Sequence, residues 1–457
     1  MRKHLIPLLL GVLALSSCPQ DTGVPSSAAG LVRAGIPADL LGMVHAGSRS
    51  EVTEEYALLD ELGVEWMLTD FSWSEIQPVK NAWNLDAFKT YADNGRAKGK
   101  KILAILDYDV DWLHDNTHAD DPHYAGDGCT GSHRYISPSE ISLFCEYVKK
   151  TVDHYKDRVD AWCIWNEPNL NPRFWQGTME EFFALTKAAA AAIREVQPDA
   201  FIIGGAFNSL VSDAWVRGIF ESGAMAQINA IAYHPYMPRP GPMVNLYSSF
   251  KEKVSPYGFR NKIWVTEMGY PVHGNMGTEV EADRMPETVM LTITLLTVNG
   301  AERIFWYELF DHGDSADQGD AENWFGMVNG GGLINGEFQK RPWAHAYKLC
   351  ALNIPGANAK TPLRQGLPDS LRAYHFEGPG GNHALIIWNE VTVKARDVKV
   401  YLPGKNQRRY NLDTGEPEPI GQSSTYTLKS KDGTNHSIQF FTWENTNYSQ
   451  VPRISAP

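Results

Sequence analysis

The stretch that decides the fold is AWCIWNEP (161–168). Its five apolar residues lead directly into a polar pair, and a short apolar run of this kind is typical of a strand buried on both faces of a parallel sheet. A second stretch, IWVTEMG (263–269), has the same form. Both stretches therefore predict a buried strand that ends at a carboxylate, Glu167 in the first and Glu267 in the second.

The same alternation of apolar runs with helical patterns extends from Leu40 to about Leu349. Such repetition is the signature of βα units around parallel strands. No G-x-G-x-x-G follows the first strand, so a dinucleotide-binding fold is disfavoured. We therefore predict an α/β protein whose core is a (β/α)8 TIM barrel over 36–352. The eight candidate strands are 40–44, 65–70, 102–106, 161–165, 201–204, 230–233, 263–266 and 303–306.

The pattern changes after residue 352. Short strands with alternating polarity, such as 384–388 and 397–401, are separated there by turn clusters such as Lys-Asp-Gly at 431–433. Strands of this kind without intervening helices are typical of antiparallel sheets. We predict a small C-terminal antiparallel β-domain, similar to a β-sandwich, over 353–457.

The N-terminus has the pattern of an export signal. Basic residues at 1–4 precede an apolar run at 5–15, and the segment from Leu15 to Cys18 resembles the bacterial lipobox. This predicts a lipoprotein signal peptide at 1–17, lipidation of Cys18 and a flexible tether at 18–35. The protein is then exported and anchored to a bacterial membrane, in the periplasm or at the cell surface. An ordinary secretory peptide with an incidental Cys18 is the alternative.

Charge and cysteine content limit the partners. The chain has 54 acidic and 41 basic residues, and its net charge of −13 repels nucleic acid. Cys129 and Cys145 are near enough in sequence to suggest a disulfide, whereas Cys163 and Cys350 lie in apolar stretches typical of buried thiols. We predict a monomer with no nucleic-acid partner.

Two strand-end carboxylates are the main chemical signal. In TIM barrels the functional residues follow the carboxyl ends of the strands, and a charged residue at the end of an apolar strand is costly to desolvate without a task or a partner. Glycoside cleavage needs one protonated carboxyl to assist the leaving oxygen and one ionised carboxylate to attack or stabilise the anomeric carbon. Glu167 and Glu267 are therefore the candidate catalytic pair.

At these positions the sequence resembles glycoside hydrolase clan A, the TIM-barrel retaining glycosidases. The match consists of Asn166-Glu167-Pro168 after strand four and Glu267 on strand seven. It looks closest to family thirty-nine, which holds β-xylosidases, α-L-iduronidases and exopolysaccharide endo-glycosidases, because 66–78, 306–311 and 322–326 resemble that family's strand-two and strand-eight regions. The resemblance implies that Glu167 is the acid/base, that Glu267 is the nucleophile, and that their carboxyl groups lie about 5 to 5.5 Å apart.

The resemblance also implies substrate-binding residues. Asn166 is expected to bond the sugar 2-hydroxyl, His234 and Tyr236 follow strand six with the tyrosine orienting the nucleophile, and Trp306 is expected to form the floor of the sugar subsite. Relatives usually carry an arginine that supports the nucleophile's charge where this chain has Leu68.

Further candidates for sugar contact come from other strand ends. Asp107 and Trp112 follow strand three, and His45 follows strand one. The segment after strand three is also dense in aspartate and histidine, which could bind a cation. Its spacing follows no ligand template, so a solvated loop above the cleft is favoured and we predict neither a metal nor a cofactor. The dense segment comprises Asp107, Asp109, Asp111, His114, His118, Asp120, Asp121 and His123.

The function that these residues predict is retaining hydrolysis of β-linked bonds in an oligo- or polysaccharide by double displacement. Transglycosylation, and endo against exo action, stay open. The alternative from another class is a non-catalytic surface glycan-binding lipoprotein on a glycosidase-like barrel. A binding site has little need of both carboxylates and Asn166 together, so catalysis is favoured. A purely structural adhesin predicts no cluster of polar residues at the strand ends.

Overall fold

The structure, a computed structural model, describes residues 30–47, 52–113, 134–274, 276–312, 319–368, 370–390, 396–428 and 438–456. The signal peptide, Cys18, Cys129 and the segment 114–123 lie outside the described residues. Among the described cysteines, Cys145, Cys163 and Cys350 are free thiols, and Cys163 and Cys350 are buried as predicted, whereas the bridge suggested for Cys145 involves a residue outside the described part of the chain. Within the described ranges, no helix combines the length and apolar character that crossing a bilayer requires.

A short strand, β1 (Leu31–Arg33), precedes a closed barrel of eight strands in which every neighbouring pair is parallel. The predicted (β/α)8 barrel is thus confirmed. The barrel strands are β2 (Leu41–Val44), β3 (Trp66–Asp70), β4 (Lys101–Leu106), β5 (Ala161–Ile164), β6 (Ile202–Asn208), β7 (Ala230–His234), β8 (Ile263–Met268) and β9 (Arg303–Trp306).

Helices cover the outside of the barrel. In α4, Phe144, Val148 and Val152 are all buried, so one face of the helix packs on the strands. Helix α5 begins with a capping box in which Thr178 and Glu181 bond each other's backbone N–H groups. The helices are α1 (Val52–Leu62), α2 (Trp73–Ile76), α3 (Lys89–Ala97), α4 (Ile141–Tyr155), α5 (Met179–Val196), α6 (Asp213–Glu221), α7 (Pro240–Val254), α8 (Met285–Val298) and α9 (Pro342–Asn353).

The inside of the barrel is a packed apolar layer. Trp66 meets Trp264 edge-on at 5.2 Å between ring centroids, and Phe305 packs beside both rings. Small residues from other strands, such as Ala161 and Ala230, leave space for these rings. Since the interior is filled by apolar side chains, the barrel is a packed core, and the predicted site residues lie at the carboxyl ends of its strands.

The remaining strands form sheets that are antiparallel, as predicted, except that β13 pairs parallel with β21. A seven-stranded sheet has the order β1-β12-β14-β15-β20-β17-β18, a four-stranded sheet has the order β13-β21-β16-β19, and β10 pairs with β11. Side chains of the two larger sheets, including Leu385 and Val400, share one apolar core. These strands are β10 (Val328–Ile334), β11 (Glu337–Lys340), β12 (Asn358–Lys360), β13 (Leu363–Gln365), β14 (Leu371–Glu377), β15 (Asn382–Asn389), β16 (Arg396–Tyr401), β17 (Lys405–Tyr410), β18 (Pro417–Pro419), β19 (Ser423–Leu428), β20 (Ile438–Glu444) and β21 (Arg453–Ser455).

Strand β1 corrects the extent of the predicted tether. Its residues fall within 18–35, yet they pair antiparallel with β12, so that Leu31 faces Lys360. The backbone N–H and C=O groups of this segment are therefore taken up by the sheet. The tether predicted over 18–35 must end before Leu31, because the last part of it belongs to the β-domain.

Candidate active site

A bulge in β8 aims Glu267 into the barrel mouth. Val265 pairs with Ile304 and Met268 pairs with Trp306, so two residues of β8 lie opposite one residue of β9. Val265 and Met268 both pack in the outer apolar layer. The two residues between them, Thr266 and Glu267, are consequently both available to the inner side of the barrel.

The two predicted catalytic carboxylates meet around His234. The Nδ1 atom of His234 lies 2.9 Å from Oε1 of Glu167 and 3.7 Å from Oε2 of Glu267. One oxygen of each glutamate and one nitrogen of His234 all lie within 4.8 Å of one another. Glu167 is 6% exposed, whereas the side chain of Glu267 is 21% exposed. The sequence placed these two carboxylates at one site, and the fold brings them there.

Glu167 is held by two groups that both bond its Oε1 atom. Asn208, at the end of β6, donates from Nδ2 over 2.7 Å, and His234 makes the second bond from Nδ1. The other ring nitrogen of His234 lies 2.9 Å from the hydroxyl of Thr266. The backbone around Glu167 has a positive φ of 46°, and that of Ala206, whose carbonyl accepts from the Glu167 N–H, has a φ of 42°. Such left-handed conformations in residues with a side chain cost energy and gather at functional sites.

Glu267 accepts a hydrogen bond of 2.6 Å from the hydroxyl of Tyr236 at its Oε1 atom. Burial raises the pKa of Glu267 to about 7, opposed by the positive charge of His234 and reinforced by the negative charge of Glu167. Burial also disfavours the charged form of His234, but the two carboxylates outweigh it and raise the pKa of the imidazole. The carboxylate pair and the histidine thus form one electrostatic unit.

Asn166 has hydrogen-bonding capacity left for a ligand. Its Nδ2 atom donates to the hydroxyl of Tyr108 over 3.2 Å, while its Oδ1 atom is buried and has no partner among the described residues. A buried amide oxygen without a partner is unusual in a folded protein. Bonding of Asn166 to a sugar hydroxyl accordingly stays a prediction that this geometry favours.

Asp107 lies fully buried at the end of β4, and neither of its carboxylate oxygens has a partner among the described residues. Burial and the neighbouring Asp70 raise the pKa of Asp107 well above its usual range, against the influence of Arg134. A neutral carboxyl in this position can both donate and accept. Trp112 packs edge-on against the buried Trp73 and donates from Nε1 to the Gln77 carbonyl.

Trp306 was predicted to form the floor of the sugar subsite, but its side chain faces away from the site because side chains alternate along β9. Trp306 is only 1% exposed and packs in the outer layer near Tyr270, whereas Phe305 and Tyr307 belong to the inner layer. Side chains alternate along a strand, so Trp306 and Tyr307 cannot face the same side. The prediction that Trp306 forms the subsite floor is therefore wrong in this structure, and Tyr307 takes the inward position.

Tyr307 connects several groups that sequence reasoning missed. Its hydroxyl donates to Oε2 of Glu322 over 2.7 Å, and its ring lies edge-on to His45 at 5.6 Å between centroids. Burial and the charges of Glu308, Glu322 and Glu267 raise its pKa. Tyr307 could have been found from the sequence, because residues two positions apart on a strand face the same side and Phe305 is apolar. Glu322 lay in the segment 322–326 that carries the family resemblance but had no role assigned, and Asn208 carried no signal, because tertiary structure alone places it at the site.

Leu68 lies inside the barrel with 2% exposure, packed in the inner apolar layer. The cationic group that lowers the pKa of Glu267 is His234. Arg134 instead acts on Asp70 and Asp107. The histidine at the end of β7 therefore supplies a positive charge to the carboxylate that an arginine supports in relatives.

Comparison with known proteins concerns the family that the chain resembles and its fold. A family model described as "Glycosyl hydrolases family 39" matches residues 132–254, which include Asn166, Glu167, His234 and Tyr236. This chain resembles glycosyl hydrolases of family 39. A β-xylosidase of Caldicellulosiruptor saccharolyticus is 42% identical over 99 residues, which are 21% of this chain and 20% of that protein. The aligned segment thus spans about a fifth of the curated relative.

Solved structures of family 39 share the fold. A family 39 glycoside hydrolase from the gut symbiont Bacteroides cellulosilyticus WH2 has a TM-score of 0.67 at 18% identity, with 90% of this chain and 81% of that chain covered. A monomeric β-xylosidase from Caulobacter crescentus CB15 has a TM-score of 0.61 at 15% identity, with coverage of 92% and 98%. At these identities the likeness concerns the fold, which extends over the barrel and the β-domain.

Proposed function

We propose that this chain is a retaining glycoside hydrolase that cleaves β-linked bonds in an oligo- or polysaccharide. The observation that carries the proposal is the proximity of Glu167 and Glu267, which approach within 4.8 Å through their oxygens. Retaining enzymes hold their carboxyl groups about 5 to 5.5 Å apart, whereas inverting enzymes need about 6.5 to 9.5 Å to admit a water molecule. The spacing therefore favours direct attack by one carboxylate.

The surroundings of the two carboxylates assign their roles. Tyr236 donates to Oε1 of Glu267 and His234 lies beside its Oε2, so both stabilise a negative charge there. Both hydrogen bonds to Glu167 end on Oε1, so Oε2 is the oxygen that we assign to the transferred proton. In this assignment Glu167 carries the proton that is given to the leaving oxygen, and Glu267 is the carboxylate that attacks.

The reaction then proceeds in two displacements. An oxygen of Glu267 attacks the anomeric carbon while Glu167 gives its proton to the departing glycosidic oxygen, which yields a covalent glycosyl-enzyme and a free alcohol. Glu167, now ionised, takes a proton from water as that water attacks the same carbon and releases Glu267. Two inversions leave the configuration unchanged.

The first test is turnover of aryl β-xyloside, aryl β-glucoside and a panel of β-linked polysaccharides, with the product anomer followed by NMR. We expect a β-product at first, and we expect azide to rescue the two alanine variants differently. Glu267→Ala leaves room for azide to attack from the nucleophile's side and yields an α-glycosyl azide. Glu167→Ala still forms the covalent intermediate from an activated substrate, and azide then yields a β-glycosyl azide.

A matched control is Glu221→Ala, which removes an exposed glutamate from the end of α6. It should behave as the unaltered protein. An α-product from the first turnover would contradict the retaining mechanism. Saturable glycan binding without turnover of any substrate would favour the glycan-binding lipoprotein instead, and sugar transfer to an added acceptor in preference to water would identify a transglycosylase.

We also propose that the protein is exported and lipid-anchored through Cys18, on the strength of the basic, apolar and lipobox pattern at 1–18. Expression in a bacterium fed a labelled fatty acid tests this. Label should enter the protein and the protein should sediment with membranes, and Cys18→Ser should abolish both. A Cys145→Ser control should keep both, while an unlabelled protein in the soluble fraction would point to an ordinary secretory peptide.

A further inference from the structure

A second cluster of potential ligands lies beside the catalytic carboxylates. His45 directly follows β2, and Glu308 and His312 follow β9. Strands β2 and β9 are hydrogen-bonded neighbours at the closure of the barrel, so residues that follow them meet at the same mouth. Because the three residues come from opposite ends of the barrel sequence, their spacing along the chain matched no ligand template.

The ligand atoms of this cluster converge on one point. Nδ1 of His45 lies 2.8 Å from Oε2 of Glu308, Nε2 of His312 lies 2.7 Å from the same oxygen, and the two nitrogens are 3.1 Å apart. Ligands about 2.0 to 2.2 Å from one tetrahedral metal ion lie roughly 3.3 to 3.6 Å from one another. The triangle in the structure is therefore tighter than a metal would hold it, and the three side chains would move slightly apart around a bound ion.

The side chain of Glu308 is fully buried, so a positive charge beside it would stabilise its carboxylate. Its side chain is 0% exposed, and its second oxygen, Oε1, has no hydrogen-bond partner among the described residues. An ionised carboxylate without compensation in such a position is costly. A bound cation provides that compensation.

We propose that His45, Glu308 and His312 bind one divalent transition-metal ion, for which Zn²⁺ is the best match. Two imidazole nitrogens and one carboxylate oxygen are the donor set of many zinc sites that keep an open position. The histidine side chains are 30% and 44% exposed, so the remaining coordination positions face the barrel mouth.

The position of the site gives the ion a task in substrate binding. The ring of Tyr307 contacts both His45 and His312, and the charge of Glu267 acts on His45. An ion held there takes water or sugar hydroxyl oxygens as its further ligands, at the side of the cleft next to the nucleophile. It would orient the sugar ring and takes no part in the proton transfers between Glu167 and the substrate.

Metal binding is measured without substrate, so the outcome is independent of whether the protein proves to be a glycosidase. The full chain is stripped with a chelator, titrated with Zn²⁺ by calorimetry, and analysed for bound metal by mass spectrometry after dialysis. We expect one Zn²⁺ per chain. In His312→Ala, which changes a partly exposed side chain, we expect the affinity to fall at least tenfold with an unchanged circular dichroism spectrum.

The matched control is His154→Ala. His154 also bonds a carboxylate, with 3.1 Å between its Nε2 and Oδ1 of Asp86, but it lies on α4 outside the barrel mouth. This variant should bind Zn²⁺ as the unaltered protein does. The proposal is overturned if the unaltered chain binds no Zn²⁺, or if His312→Ala binds it as tightly as His154→Ala does.

Discussion

The ends of β5 and β8 differ from the ends of β2 and β9 in how directly the sequence determines them. At β5 and β8, an apolar run leads straight into a glutamate, and both glutamates meet at His234. At β2 and β9, Trp306 was expected in the site but packs in the outer apolar layer, and a cluster around Glu308 lies at the barrel mouth instead. The first pair of strands presents the two carboxylates of the proposed reaction, while the second presents the His45, Glu308 and His312 cluster beside them.

The largest expected effect is the loss of turnover in Glu267→Ala, which tests whether β8 supplies the nucleophile. If β8 supplies the nucleophile, we expect kcat/KM on an aryl β-glycoside to fall by about 10⁴-fold or more, since no other group is placed to form the covalent intermediate. Steady-state kinetics with Glu221→Ala as control measures this. A loss below about tenfold would move the nucleophile to another carboxylate, with Glu308 the first to examine.

Glu267 is also expected to affect how the free energy of unfolding depends on pH. The folded-state pKa of Glu267, about 7, lies above the ordinary 4.5, so the folded chain binds the proton more tightly and loses stability as the pH rises from about 4.5 to 7. Glu267→Gln removes that loss, and we expect it to stabilise the fold by about 2 kcal/mol at pH 8 and by little at pH 4. Denaturant unfolding at both pH values checks this, and equal effects at the two would contradict it.

Two neighbouring variants test whether Tyr307, and not Trp306, faces the site at the end of β9. Trp306→Phe should lower the free energy of unfolding by about 1 to 2 kcal/mol through lost packing and leave KM unchanged. Tyr307→Phe should leave stability nearly unchanged and lower kcat/KM by about tenfold, because its hydroxyl bonds Glu322 at the site. The opposite pattern, with KM rising in Trp306→Phe alone, would restore the tryptophan as the subsite floor.

The smallest expected effect concerns the hydrogen bond that Tyr236, which follows β7, donates to Glu267. Protonation of Glu267 removes the nucleophile, so kcat/KM should fall as the pH drops below about 7. Tyr236 donates to this carboxylate and lowers its pKa, and Tyr236→Phe should move the acid limb upward by about half a unit to one unit. A downward or absent shift in the pH profile would show that the tyrosine has another role.

The sequence predicted the barrel, and it singled out the two glutamates that the fold brings together, because both depend on local pattern. Strands buried on both faces are continuous apolar runs, and Glu167 and Glu267 terminate two of them. Trp306 was misplaced because a resemblance located the aromatic residue to within one position, and a shift of one position reverses the side that a strand residue faces.

Residues brought in by tertiary structure were beyond sequence reasoning. Asn208, the last residue of β6, bonds Glu167 after the neighbouring strand β5, and Glu322 reaches Tyr307 from the loop after β9. Asn208 stands in no pattern that marks it, and the resemblance at 322–326 gave Glu322 no role. The strand β1 was missed for a similar reason, since three residues are too few to show alternation and their partner strand lies far along the chain.

The pairing of β1 with β12 joins segments from the two ends of the barrel sequence. The backbone N–H of Gly30 bonds Thr361, 331 positions away, so the whole barrel is synthesised between the two halves of this contact. A nascent chain therefore carries β1 without its neighbour until the last barrel helix is complete. The contact acts as a clasp between the two ends of the barrel, and a chain cut short before residue 358 would keep all eight barrel strands yet leave that clasp open.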